Sequence, residues 1–180
     1  MERIAATIAI VIAVLATTVW AGELLPIEQQ IEALNPRLGP RQIARYARAV
    51  YAASQETRIE PAILVAVGYR ESGWRPDIER GRIRGRRGET GIMQVMPGGV
   101  ALQWARGCRQ TQARCSVRTG ARYLAWLRDE VCPGSTWRWL AGYSRSRCLS
   151  EEEARRAHDV LAARRIYCSI SPDCDSSWPP

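Results

Sequence analysis

The chain has 180 residues, 46% of them hydrophobic, which suffices for one domain with a proper core. Its formal net charge is +8, and arginine supplies every basic side chain because the sequence contains no lysine. Nucleic-acid binding would fit this charge, but the arginines are scattered, and no zinc-finger, helix-turn-helix or aromatic RNA-binding signature accompanies them. We therefore expect no nucleic-acid partner; an exported protein of this charge would be drawn to an anionic wall or membrane face.

The N-terminus carries the pattern of an export signal. An uncharged apolar run extends from Ile4 to Trp20, and Val19-Trp20-Ala21 provides the small or aliphatic residues that a signal peptidase reads. We expect a signal peptide at residues 1–21 and a periplasmic or secreted protein. The run is at the short end for a spanning helix, so a retained membrane anchor is the alternative.

Helical periodicity dominates the rest of the chain, without any alternating strand pattern or repeat. The sequence predicts an all-α single domain at residues 41–168, after a pre-domain segment at 22–40 and before a tail at 169–180. Leu25, Ile27, Ile31 and Leu34 form a possible packing stripe in the pre-domain segment. The predicted helices run from Arg41 to about Thr57, Pro61 to Ser72, Met93 to about Trp104 with an interruption at Pro97-Gly98-Gly99, Ser116 to about Val131, Ser135 past Tyr143, and Ser150 to about Tyr167.

Six cysteines lie in the second half of the chain: Cys108, Cys115, Cys132, Cys148, Cys168 and Cys174. An even number in an exported protein predicts disulfides, although several connectivities are open. Pairing of nearest neighbours along the chain is the simplest. A zinc site is the rival interpretation, but no Cys-x2-Cys pair occurs and His158 is the only histidine, so no metal is expected.

The candidate catalytic residue is Glu71, at the end of the predicted Pro61 to Ser72 helix. The segment from Pro61 to Val67 is apolar on every face, as is typical of a buried helix. At the C-terminal end of such a helix, the dipole and desolvation both disfavour an ionised carboxylate, which prepares a general acid. The alternative is that Glu71 only pairs with one of the many arginines.

Three motifs support the first interpretation. Glu71-Ser72-Gly73-Trp74, then Gly91-Ile92-Met93-Gln94-Val95-Met96-Pro97, then Leu140-Ala141-Gly142-Tyr143-Ser144 closely resemble the signatures of the soluble lytic transglycosylase family. The resemblance covers residues 41–148. It implies a lysozyme-like fold and cleavage of the glycan strands of bacterial peptidoglycan, by a monomer without a cofactor. It also implies that Glu71 alone acts as acid and then as base, leaving a 1,6-anhydro end.

The resemblance assigns further roles by motif position. Ser72 would hold the acid or a substrate group, Met93 would line the floor of the site, Gln94 would hydrogen-bond to a sugar, and Tyr143 would orient the acid. The plainer alternatives are a locally satisfied Ser72, and a Met93 or Tyr143 that belongs to the core. Gly142 and Ser144 depart from the alanine and asparagine usual in the family.

Glu89 stands where the family often has alanine. If it lay near Glu71, the chain could be a muramidase, a hydrolase that uses Glu89 as its second carboxylate. We favour instead pairing of Glu89 with a nearby arginine such as Arg86 or Arg87.

The loop from Pro76 to Gly88 is strongly basic. It is either a solvated surface loop or the border of a cleft, where it would meet carboxylates of the peptide stems, which the planar fork of arginine suits. Its arginines are Arg80, Arg82, Arg84, Arg86 and Arg87.

A different class of function is a wall-binding subunit of an envelope-spanning secretion or conjugation machine. The intact Glu71 argues against a pure binding role, although such a machine can employ an active enzyme as its partner.

Overall fold

The computed structural model describes residues 23–134, 138–150, 152–153, 165–166 and 168–170. Within these ranges every regular element is a helix, and one isolated bridge joins Thr90 to Val95. The predicted all-α class is confirmed. The predicted signal peptide, His158 and most of the last predicted helix and tail lie outside the described residues. In the part that is described, no helix combines the length and apolar composition that a bilayer span needs.

Six α-helices precede the last described segments, and prolines begin three of them, where the missing N–H has no intrahelical partner to lose. The helices are α1 (residues 23–34), α2 (Pro40–Thr57), α3 (Pro61–Ser72), α4 (Pro76–Glu79), α5 (Ala113–Trp126) and α6 (Arg138–Ala141). A 3-10 helix, Val100–Ala105, precedes α5; a π-helical turn, Leu127–Val131, continues α5; and a 3-10 turn, Gly142–Ser144, continues α6.

The core lies between α2, α3 and α5. Helix α3 is buried along most of its length, as its uniformly apolar sequence predicts. Trp74, just beyond its end, is fully buried and donates a hydrogen bond from Nε1 to the Val65 carbonyl at 3.1 Å. A Cβ atom on Gly68 would lie 2.5 Å from Trp74 Cζ2, so this position in α3 requires glycine.

Helix α1 packs onto the same core. Ile27 and Ile31 of the predicted stripe are buried there, and Leu34 is partly buried against it. Leu25 is 53% exposed and does not belong to the stripe. Asn35 then donates a hydrogen bond from Nδ2 to the Gly73 carbonyl at 2.8 Å, which ties the segment to the end of α3.

Two predicted helix starts are wrong. The segment after Met93 does not begin a helix, because Gln94 takes a left-handed φ of 46° inside the turn closed by the Thr90–Val95 bridge; helix resumes at Val100. Helix α5 begins at Ala113, with Gln112 rather than Ser116 at its cap. The Ser116 hydroxyl instead accepts the Met93 N–H at 3.0 Å.

Two of the three predicted disulfides are present, Cys108–Cys115 and Cys132–Cys148. The third predicted pair includes Cys174, which lies outside the described residues. Ser150, where the last predicted helix begins, forms a capping box with Glu153. Ser150 N–H donates to Glu153 Oε2 at 2.9 Å, and Glu153 N–H donates to Ser150 Oγ at 3.1 Å.

A buried carboxylate that the sequence analysis missed joins three helices. Glu79 of α4 is almost fully buried and accepts two hydrogen bonds from the Arg45 guanidinium. It also accepts the Tyr46 hydroxyl at 2.9 Å and the Ala113 N–H at 3.0 Å. Burial opposes ionisation of Glu79, but these donors outweigh it, so the pKa of Glu79 is lowered from its ordinary value.

Candidate active site

A cleft of about 480 Å³ opens beside the end of α3. Glu71 lies on its wall, and four segments distant in sequence complete it. The lining residues are Arg70 and Glu71 from α3; Gly85, Arg86, Arg87 and Glu89; Gln94, Val95, Met96, Gly99, Val100 and Ala101; and Tyr123, Tyr143, Ser144 and Ser146. The three sequence motifs therefore meet at one cleft, each with at least one side chain.

Glu71 combines both interpretations offered by the sequence. It lines the cleft, and its Oε1 lies 2.6 Å from Arg70 Nη2, in a pair whose side chains are only 15% and 16% exposed. The helix dipole and desolvation both disfavour the ionised carboxylate. A neighbouring cation favours that form, so Arg70 opposes the two effects.

Tyr143 is buried, and its hydroxyl donates a hydrogen bond to the Met93 carbonyl at 2.8 Å. A phenol has one hydrogen to donate, and Tyr143 gives it to the backbone of the second motif. That Tyr143 orients Glu71 stays a prediction. Burial first, and then the negative charge of Glu71, raise the pKa of Tyr143 well above its ordinary value. The phenol therefore stays neutral and keeps its hydrogen for Met93.

Met93 does not line the floor of the cleft. Its side chain is fully buried and packs against Gly120 of α5, where an added Cβ would lie 2.7 Å from Met93 Cγ. Gln94 does line the cleft, and its Nε2 donates to the Gly91 carbonyl at 2.9 Å. Met96 lines the cleft in place of Met93, so the motif contributes its second methionine rather than its first.

Ser72 is a local helix-end residue. Its hydroxyl donates to the Gly68 carbonyl at 2.9 Å and accepts the Trp74 N–H at 3.2 Å, and the residue is 3% exposed. Because both functions of the hydroxyl are used within the same helix end, the structure favours the plainer of the two interpretations for this residue.

Glu89 lines the same cleft as Glu71, and its carboxylate forms a hydrogen bond with the backbone of the preceding loop. Its Oε2 accepts the backbone N–H of Arg87 at 2.8 Å. A Cβ on Gly85 would lie 2.2 Å from that oxygen, so the loop approaches the carboxylate as closely as glycine allows. Among the described residues, no arginine side chain forms an ion pair with Glu89, which differs from the expected pairing with Arg86 or Arg87.

Several cleft residues carried no motif signal. Arg70 was overlooked although it precedes Glu71 directly. Tyr123 lies on the buried face of α5, where helical periodicity predicts only a core residue. Its hydroxyl donates a hydrogen bond to Ser146 Oγ, in the segment after α6, at 2.7 Å. Burial raises the pKa of Tyr123 from its ordinary value, so this donor is neutral as well. Val100 and Ala101 could not be assigned to the cleft without knowing how their segment turns.

Comparisons with known proteins agree with the motifs. The model of the transglycosylase SLT domain family matches residues 48–157. A membrane-bound lytic murein transglycosylase F from Pseudomonas syringae pv. syringae is 26% identical over 109 residues, which are 57% of this chain and 20% of that protein.

Proteins of the same name from P. syringae pv. tomato and Pseudomonas fluorescens are 25% and 23% identical over 138 and 144 residues. These matches cover 69% and 73% of this chain, but only 26% and 28% of the relatives, so the chain spans a minor part of their length. No solved structure matches the chain significantly.

Proposed function

Because the chain belongs to the transglycosylase SLT domain family, we propose that it is a peptidoglycan lytic transglycosylase. It cleaves the β-1,4 bond between MurNAc and GlcNAc and leaves 1,6-anhydro-MurNAc ends. The observation that carries this proposal is that Glu71, Gln94 and Tyr143, one from each motif, line a single cleft. Residues 41–168 form the catalytic domain.

Glu71 carries out both proton transfers. As acid it protonates the glycosidic oxygen, the C1–O bond of MurNAc breaks, and GlcNAc leaves with a free 4-hydroxyl. As base it then takes the proton of the MurNAc 6-hydroxyl while that oxygen bonds to C1. The proton returns to Glu71, no water is consumed, and no second carboxylate is required.

Arg70 suits a residue that alternates between these two states. Its guanidinium, 2.6 Å from Glu71 Oε1, stabilises the carboxylate that remains after the proton has been donated. The same contact fixes the side chain before substrate arrives. Arg70 thus assists the first transfer by stabilising its product, and it keeps the base in place for the second.

Tyr143 acts on the cleft through the backbone. Its hydrogen bond to the Met93 carbonyl fixes the peptide that leads into Gln94, whose side chain faces the substrate. We assign Tyr143 a positioning role and Gln94 a binding role. Ser72 and Met93 support the site from within the core.

A muramidase is the second candidate, because Glu89 lines the cleft together with Glu71. In that reaction Glu89 would activate a water molecule, and the product would have a reducing end. Against it, one Glu89 oxygen accepts the Arg87 N–H and lies against Gly85 of the loop.

The location follows from the proposed substrate. Peptidoglycan lies outside the cytoplasm, so we propose a periplasmic or secreted monomer exported by residues 1–21. That the protein acts as part of an envelope-spanning secretion or conjugation machine stays a prediction.

Mass spectrometry of digested peptidoglycan tests the proposal. The mature protein is expected to release muropeptides that are one water lighter than ordinary reducing products, and Glu71→Gln is expected to release none while unfolding at nearly the same temperature. Reducing ends would replace the transglycosylase by the muramidase, whereas products from Glu71→Gln at the wild-type rate would remove Glu71 from the chemistry.

A further inference from the structure

We propose that Arg86 and Arg87 bind carboxylates of the peptide stems, so that the cleft selects peptidoglycan strands whose stems are present and ionised. The inference rests on the proposed function, since it names a further part of the substrate of the same site. It assigns a binding role to two side chains outside the three motifs.

The two guanidinium groups lie on the substrate side of the basic loop. Arg86 and Arg87 are exposed, and both line the cleft that contains Glu71. The other arginines of the loop do not line it. Of the five arginines in the basic loop, only the last two, Arg86 and Arg87, therefore lie where substrate would bind.

Within the described part of the chain, neither guanidinium forms an ion pair or a side-chain hydrogen bond. Six arginines in the described ranges form ion pairs with carboxylates: Arg45, Arg70, Arg75, Arg122, Arg128 and Arg147. Arg86 and Arg87 form none with any described carboxylate, although Glu89 is close in sequence. Two cations at the rim of a cleft, without a carboxylate partner among the described residues, are an anion-binding arrangement.

Backbone contacts and Glu89 hold the loop in shape without the side chains of Arg86 and Arg87. Glu89 Oε2 accepts the Arg87 N–H at 2.8 Å, the Glu89 carbonyl accepts the Gly85 N–H at 3.1 Å, and the Gly85 carbonyl accepts the Gly88 N–H at 3.0 Å. Gly88 takes a φ of 85°, which favours glycine. A preformed turn presents the arginines with little loss of backbone entropy on binding.

The proposed substrate has its negative charge on the stems. The sugar rings at the scissile bond are neutral, whereas the peptide stem attached to the lactyl group of MurNAc carries carboxylates. A guanidinium fork matches a carboxylate with two parallel hydrogen bonds. Because Arg86 and Arg87 are exposed, the attraction is expected to weaken as salt increases.

Cosedimentation with insoluble peptidoglycan tests the inference, with Glu71→Gln as the parent so that cleavage does not remove the sediment. The variants are Arg86→Ala/Arg87→Ala and, as a matched control from the same loop, Arg84→Ala. The substrates are native peptidoglycan, peptidoglycan whose carboxylates have been converted to amides, and glycan from which the stems have been removed. The last substrate exposes the lactyl carboxylate of MurNAc and so distinguishes the two sources of carboxylate.

We expect the double variant to bind native peptidoglycan about tenfold more weakly, as loss of charge-assisted hydrogen bonds to an exposed site implies. Arg84→Ala should bind like the parent, and the double variant and parent should bind equally on amidated and on stem-free material. Equal affinity of double variant and parent for native peptidoglycan would overturn the inference. So would an equal loss in Arg84→Ala, or the same tenfold loss on stem-free glycan.

This readout is separate from catalysis. If the wild-type protein released no products, the proposed function would fail while the affinity difference could still be measured. If products formed but the affinities were equal, only the inference about Arg86 and Arg87 would fail.

Discussion

The hydroxyl of Tyr143 lies 2.8 Å from the carbonyl oxygen of Met93 and donates its hydrogen to it, across 50 positions of sequence. This bond connects the third motif to the second. Since Met93 is itself fixed by the Ser116 hydroxyl and by contact with Gly120, the bond anchors Tyr143 to a rigid point of the core.

Tyr143→Phe is expected to reduce turnover without abolishing it. Phenylalanine keeps the ring but leaves the Met93 carbonyl without its donor, which costs about 1–3 kcal/mol of folding free energy. We expect a lower melting temperature and, because Gln94 is held less firmly, about tenfold lower kcat/KM, equivalent to about 1.4 kcal/mol. Tyr51→Phe is the control, because the Tyr51 hydroxyl donates to the exposed Glu23 carboxylate and does not line the cleft. Unchanged kinetics in Tyr143→Phe would deny it the positioning role.

Arg70→Gln is expected to shift the pH dependence of cleavage. Arg70 favours the ionised form of Glu71, so its removal lets Glu71 keep its proton to higher pH. An acid acts in its protonated form, and the alkaline limb of the kcat/KM profile should therefore move upwards in pH. Measurement of initial rates between acidic and mildly alkaline pH, with Arg84→Ala alongside, checks this. A limb that stays in place would mean that another group controls it.

Glu79→Gln is expected to destabilise the fold by about 3 kcal/mol, the lower end of the range for breaking a buried ion pair, because Arg45 stays solvated. In the folded wild type the pKa of Glu79 is lowered from about 4.5, so the native state holds fewer protons there than the unfolded chain. This stabilisation is complete above that pH and is lost as the pH falls through the folded-state pKa.

Urea unfolding at neutral and at acidic pH measures this effect. The difference between wild type and Glu79→Gln should be large at neutral pH and shrink in acid. Glu56→Gln, which breaks an exposed pair with Arg122, should unfold almost like the wild type at both. A gap that stayed constant with pH would show that ionisation of Glu79 is not what stabilises the fold.

Removal of the Cys132–Cys148 disulfide is expected to affect both stability and activity. The two cysteines are 16 residues apart, which corresponds to about 3 kcal/mol in the chain-entropy model. The closed loop contains α6 and Tyr143, so the variant Cys132→Ala/Cys148→Ala should lose turnover as well as unfold at a lower temperature. The comparison is Cys108→Ala/Cys115→Ala, whose bridge spans 7 residues outside the cleft wall and should mainly lower the melting temperature. Similar losses of turnover in the two variants would contradict this assignment.

Gly120→Ala is expected to be destabilising by about 1–3 kcal/mol, as is typical of overpacking in a core. The new Cβ would lie 2.7–2.8 Å from three atoms of Met93, which cannot all withdraw. Since Met93 carries the acceptor for Tyr143, activity should fall too. Gly39→Ala, with open space around its Cβ, is the control. Thermal unfolding and turnover are measured for both variants. Wild-type stability of Gly120→Ala would contradict the prediction that Gly120 packs too closely against Met93 to accept a Cβ atom.

The sequence predicted much of the fold because helical periodicity and proline starts are local signals. The bounds of α3, the burial of its apolar residues and the Ser150–Glu153 box all follow from residues within a few positions of one another. The failures have a common cause. Ser116 was predicted to cap a helix, but a distant backbone N–H, that of Met93, uses its hydroxyl.

At the site too, contacts between residues distant in sequence decide what the sequence could not predict. The motifs predicted which segments meet but not which side chain of each faces inward: Gln94 and Met96 line the cleft, whereas Met93 and Ser72 turn into the core. In a turn that contains a left-handed residue such as Gln94, side-chain direction does not follow a helical or strand period. The sequence pattern therefore does not predict which side chain faces the cleft. Glu79 was missed because a single glutamate among many arginines carries no local sign of its three partners.

The burial of Glu79 bears on how a mutational survey of this protein must be interpreted. A screen that replaces each acidic residue and scores only surviving activity would find a loss at both Glu71 and Glu79, which are eight positions apart in the chain. One is proposed to exchange protons with substrate, and the other binds helices α2, α4 and α5 together. Soluble yield and unfolding temperature, recorded for every variant, would tell the chemical defect from the architectural one.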